Sequence, residues 1–99
     1  MHSSVRLIPT EKVYFFSASN KYTQVVTRTR EALIRKTIRE LEKRLDPDLF
    51  FRIHRKTIVN AAFIEKVDTS ATGRGLLKLL HRPEIHTVSR RYTHLFRQM

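Results

Sequence analysis

Apolar positions along this chain follow two spacings. Short runs rich in β-branched and aromatic residues recur at 13–18, 22–29, 32–35, 51–54, 57–59, 64–69, 76–80 and 85–88, after an opening run at 5–8 that Pro9 stops. These runs have strand length and residues that suit a pleated backbone, so each predicts a strand. The polar break Ser19-Asn20-Lys21 makes a hairpin of the runs on either side of it. Thr72-Gly73-Arg74-Gly75 reads as the turn of another.

The second spacing is helical. Ile34, Ile38, Leu41 and Leu45 form one stripe, and Thr37 and Glu40 stand at capping-box distance. That helix must end near Asp46, because Pro47 disfavours a helical residue before it. Its other face, Arg39, Glu42, Lys43 and Arg44, reads as solvated. A second helix is expected to start from Ser89 as N-cap, with Tyr92, Leu95, Phe96 and Met99 as its apolar stripe. A mainly β domain with two short helices follows. With 99 residues and no repeat or linker, residues 1–99 read as one domain, residues 1–4 being a disordered start or the edge of a cut from a longer chain.

Charge changes the picture most. Twenty Lys and Arg against nine Asp and Glu leave +11. Self-repulsion on that scale points to a polyanionic partner, nucleic acid first and an anionic membrane surface second. No run approaches the roughly 18 apolar residues of a membrane span, and the start lacks a secretory pattern. The chain has no cysteine, which excludes disulfides and thiolate metal sites and agrees with a cytoplasmic protein.

Catalysis finds little support. His2, His54, His81, His86 and His94 form no H-x-x-x-H pair, no phosphate loop occurs, and the acids are scattered. No enzyme, cofactor or metal is expected, and His54 reads as a hydrogen-bonded structural residue. The bases are better placed. Arg52, Arg55 and Lys56 cluster at a strand end with Asn60 behind them, Lys21 sits at a hairpin tip beside Asn20, and Arg90 and Arg91 open the last helix. Cations there oppose the helix dipole, and residues that break a local rule are often functional. From these residues alone the chain is a basic β-rich domain that reads nucleic acid through loops.

The segment Phe50-Phe51-Arg52-Ile53-His54-Arg55-Lys56-Thr57-Ile58-Val59-Asn60 resembles the F-x-R-[IV]-H-[RK]-[SK]-x-[IL]-V-N signature of the LytTR family of DNA-binding domains. Residues 13–26 are similar to the family's opening, residues 37–45 to its t-[IL]-x-E-L-E-x-x-L helix, and Thr87-Val88-Ser89-Arg90-Arg91-Tyr92 to its terminal V-S-R-R-Y. The likeness runs from about residue 5 to 98. Thr23 stands where relatives often carry a larger or apolar residue, and Ser17 where a glutamate often precedes Ala18.

The resemblance implies three small antiparallel sheets in an elongated β-β-β arrangement, with loops that enter successive major grooves. It implies reading positions at Asn20, Lys21 and Thr23, at Arg55 with Lys56 adjacent, and at Arg91 with Arg90 adjacent. It implies sequence-specific binding to double-stranded DNA for transcription regulation, as the output domain of a two-component response regulator whose receiver domain lies upstream. The expected partner is duplex DNA with two repeated half-sites, on which a domain that is monomeric alone would pair. The rival readings are a sequence-independent RNA-binding module, a membrane-surface adaptor and, weakest, an enzyme.

Overall fold

A computed structural model describes residues 8–70 and 73–96. Two antiparallel sheets hold most of the structured residues. The larger contains β1 (Phe15–Ser19), β2 (Tyr22–Val26), β3 (Glu31–Ile34), β4 (Phe50–His54) and β5 (Thr57–Asn60), in the order β3-β2-β1-β5-β4. The smaller contains β6 (Ile64–Thr69), β7 (Gly75–Leu79) and β8 (Ile85–Val88) in sequence order. One α-helix, α1 (Ile38–Arg44), links β3 to β4. The molecule is elongated, 56 × 25 × 23 Å.

Apolar doublets explain the layering. Phe15 and Phe16, Val25 and Val26, and Ile58 and Val59 are all buried although neighbours on a strand face opposite ways. The larger sheet is therefore covered on both faces at its centre. Phe16, Val25 and Ile58 pack with Val13 and Phe50 against Ile38 and Leu41 of α1. Phe15, Val26 and Val59 pack with Tyr14 and Ile53 against Leu77, Leu79 and Val88 of the smaller sheet. The helix stripe is as expected, with Ile34 and Leu45 flanking Ile38 and Leu41.

The expected three sheets are two among the described residues. β1 is the reason: it pairs with β2 on one side and, through Phe15, Phe16 and Ser17, with β5 on the other. That fuses the two hairpins into one sheet. The strand expected at 5–8 falls outside the described residues except for Ile8, which lies in no strand. The run at 22–29 ends at Val26, since Thr27 turns the chain by donating its N–H to the Arg30 carbonyl. The hairpin turn after β6 closes through Ser70 N–H to the Arg74 carbonyl, with Gly73 at φ +85°.

The last helix differs from expectation. It is a 3-10 helix, Arg90–Phe96, entered by the Tyr92 N–H donating to the Ser89 carbonyl. Three residues per turn put Arg90, Thr93 and Phe96 in line, where an α-helix would align the expected stripe. Thr93 is accordingly the buried residue, its hydroxyl donating to the Arg90 carbonyl at 3.0 Å, while Leu95 is exposed. Tyr92 and Phe96 still pack against the core between the sheets. Met99 lies outside the described residues.

Candidate nucleic-acid interface

β1 and β5 run antiparallel, with Ser17 opposite Thr57. The turn after β1 and the turn before β5 therefore leave the same end of the larger sheet. Ser19 pairs with Tyr22, which leaves Asn20 and Lys21 as a two-residue turn. Asn20 takes φ +53°, a conformation that Asn tolerates better than most side chains. His54 pairs with Thr57, which leaves Arg55 and Lys56 as a second such turn. The Lys56 carbonyl accepts from the Ala18 N–H at 2.8 Å, which ties the two turns together.

Arg52 builds the second turn from inside. The chain bulges between Arg52 and His54. Arg52 Nε donates to the His54 carbonyl at 3.3 Å, Nη2 to the Arg55 carbonyl at 2.7 Å, and Nη1 to Glu42 Oε1 of α1 at 2.8 Å. His54 Nδ1 accepts from the Lys56 N–H at 3.2 Å. Arg55 and Lys56 themselves stay exposed. Asn60 is structural too: it is buried, its side-chain oxygen accepts from the Ala62 N–H, and its amide donates to the Val13 carbonyl.

Asn20, Lys21, Thr23 and Arg55 line a common groove, together with Arg35 and Arg39. Thr23 is 2% exposed and its hydroxyl donates to the Lys36 carbonyl at 2.6 Å, so it anchors the chain rather than presenting a group to solvent. Arg90 and Arg91 are exposed and lie apart from that groove. The Ser89 N–H donates to the Ile53 carbonyl at 2.9 Å, fixing their helix beside the end of β4. The Arg91 guanidinium lies 5.7 Å from the centre of the Tyr92 ring. Arg90 passes the β6–β7 turn, where a side chain on Gly73 would meet its Cγ at 3.7 Å.

The acids are used elsewhere. Among the described residues, ion pairs join Arg52 to Glu42, Lys66 to Asp68, Lys78 to Glu65, and Arg82 to Glu31 and Glu84. Glu84 hydrogen-bonds the Arg82 guanidinium, which holds its carboxyl below the usual range and raises the arginine's. None of these pairs includes Lys21, Arg35, Arg39, Arg55, Lys56, Arg90 or Arg91. Sequence reasoning took Arg39 for a solvated residue and passed over Arg35. A usable signal existed: Arg39 is a cation in the first turn of α1, the same oddity that drew attention to Arg90 and Arg91. Among the described residues no helix is long and apolar enough to cross a membrane.

Residues 3–99 match the family model of the LytTr DNA-binding domain. The chain is similar, with a TM-score of 0.83 and 30% identity over 92% of its length, to the LytTr DNA-binding domain of a Bacillus cereus response regulator, of which it covers 83%. It is 32% identical, over 94% of its length, to an uncharacterized response regulatory protein of Vibrio cholerae, and 34% identical over 75% to the CO-responsive transcriptional regulator RcoM of Rhodospirillum rubrum. It spans 36% and 31% of those two relatives. The chain belongs to the LytTR family of DNA-binding domains.

Proposed function

We propose that this domain binds double-stranded DNA sequence-specifically and regulates transcription as the output part of a response regulator with a receiver domain upstream. The observation that carries the proposal is the distribution of charge. Seven bases on the two sheet-end turns, on α1 and the linker before it, and at the start of the last helix form no ion pair among the described residues, and no acid lines the groove that holds four of them. One relative is named a response regulatory protein and the other a transcriptional regulator, which supports the same reading.

Arg55 and Arg91 are the residues for base contacts in the major groove, because a guanidinium fork fits guanine O6 and N7. Lys21, Lys56 and Arg90 hold phosphates, and Asn20 shapes the tip that carries Lys21. Thr23 supports this surface by its bond to Lys36. Two copies of the domain, monomeric alone, pair on half-sites about one helical turn, roughly 10 bp, apart.

In vitro selection from a random duplex pool tests the reading. It should enrich a motif, present twice, and affinity for the selected duplex should fall with log salt at a slope of about −4 to −7 if four to eight phosphates are neutralised. No enriched motif, or tighter binding to single-stranded RNA of matched sequence, would leave a general polyanion binder instead.

A further inference from the structure

Lys21, Arg35, Arg39 and Arg55 line the groove between the β1–β2 turn and α1, together with Arg52, which is paired with Glu42. No acid lines it. The nearest glutamates on α1 are engaged: Glu40 accepts from the Thr37 hydroxyl at 3.2 Å and Glu42 pairs with Arg52. Like charges around one open groove repel each other, and no acid among its lining residues offsets that. A polyanion laid into the groove would.

The backbone that carries two of these arginines is held at two points between them. The Lys36 carbonyl accepts from buried Thr23, and the Thr37 hydroxyl accepts from the Glu40 N–H at 3.1 Å. Arg35 and Arg39 bracket these anchors and are exposed. Bases on a fixed backbone lose less freedom on binding than bases on a loose loop. The geometry points to this groove as a seat for phosphates of the duplex backbone, with Arg35 and Arg39 as the contacting residues. The inference rests on the duplex-binding reading above and extends the interface from the reading turns onto α1. Phosphate contacts position a protein without carrying sequence information, so the site should add affinity and salt dependence and leave base preference alone.

The test measures affinity at several salt concentrations on a random-sequence duplex, and on the selected duplex with its single-base variants. Arg35→Gln and Arg39→Gln keep most of the stem and remove the charge. Each should make the log–log salt slope shallower by about 0.9, so that the affinity lost between about 50 and 200 mM salt shrinks roughly three- to fourfold. Arg39→Lys should keep the parent slope. Arg44→Gln, on the same helix but away from the groove, should keep it too. The ranking of single-base variants should be the same in all of them. Unchanged slopes for Arg35→Gln and Arg39→Gln, or an equal change for Arg44→Gln, would overturn the site, as would a parent whose binding to the random duplex ignores salt. If selection enriches no motif but the slopes still respond to Arg35 and Arg39, sequence-specific reading fails and the phosphate seat stands.

Discussion

Arg52 and Arg55 are three positions apart on one basic segment, and their side chains face different tasks. Arg52 directs its donors at two turn carbonyls and Glu42. Arg55 is left at the surface on the turn so formed. Replacing them should therefore give different signatures. Arg52→Ala removes charge-assisted hydrogen bonds, at a cost of about 1.5–3 kcal/mol, and should lower the melting temperature by on the order of 10 °C. Arg55→Ala and Arg91→Ala should stay within about 0.5 kcal/mol of the parent in stability, since neither has a polar partner among the described residues beyond its own turn or helix. Each should still lose about 1–3 kcal/mol of affinity for the selected duplex and relax preference at one base pair. Lys43→Ala is the control and should change neither quantity. Thermal melts and binding measured on the same samples decide it. A several-degree drop for Arg91→Ala would make that residue structural.

At the scale of elements, β1 organises the interface. By pairing on both sides it brings two turns, far apart in sequence, to one end of one sheet. Close approach between strands of the smaller sheet fixes the rest. Gly75 lies opposite Val88, and a Cβ on it would meet Val88 Cβ at 3.1 Å. Val88 leads through Ser89 into the helix of Arg90 and Arg91. Gly75→Ala should therefore press on that junction: stability should fall by roughly 1 kcal/mol or more, as over-packing a filled site does, and affinity for the selected duplex should fall further than stability explains. Affinity equal to the parent's, at a temperature where the variant is folded, would show that the junction does not set the arginines.

For the whole molecule, His86 in the layer between the sheets ties stability to acid. His86 on β8 packs edge-on against Phe15, ring centres 4.5 Å apart, and its Nε2 is buried without a hydrogen-bond partner among the described residues. Burial holds its pKa below the ordinary 6.5, Glu84 opposing and Arg82 adding to the shift. The unfolded chain then takes up a proton at a higher pH than the folded one. Stability from this group is fully present above about pH 6.5 and declines as the pH falls below it. Glu84, with its lowered pKa, contributes a second loss only further into acid, within and below the usual carboxylate range. The melting temperature of the parent should fall between about pH 6.5 and 5, and His86→Phe should be flatter over that window. Parallel curves for the two proteins would show that His86 titrates as it does in the unfolded chain.

The sequence by itself determined the strands, the α1 stripe with its Thr37 cap, and the turns on which bases are exposed. These depend on neighbours within a few residues: the alternation of a pleat, the 3.6-residue repeat, a cap hydroxyl three positions from its N–H. It also carried the family signature, whose Asn60 and Arg52 turn out to be internal hydrogen-bonding residues of the scaffold. Tertiary structure decided what distant contacts set. Among the described residues two sheets form instead of three because β1 meets β5 across a long intervening segment. The last helix winds as 3-10 and so turns Thr93 inward, while Tyr92 and Phe96 pack against the core between the sheets. Arg39 joins Lys21 and Arg55 in one groove, where the Thr23 hydroxyl, thirteen positions before Lys36, holds the Lys36 carbonyl and with it the backbone that enters α1. Charge is written along the chain, but which charges share a surface depends on which backbone atoms are bonded across the fold.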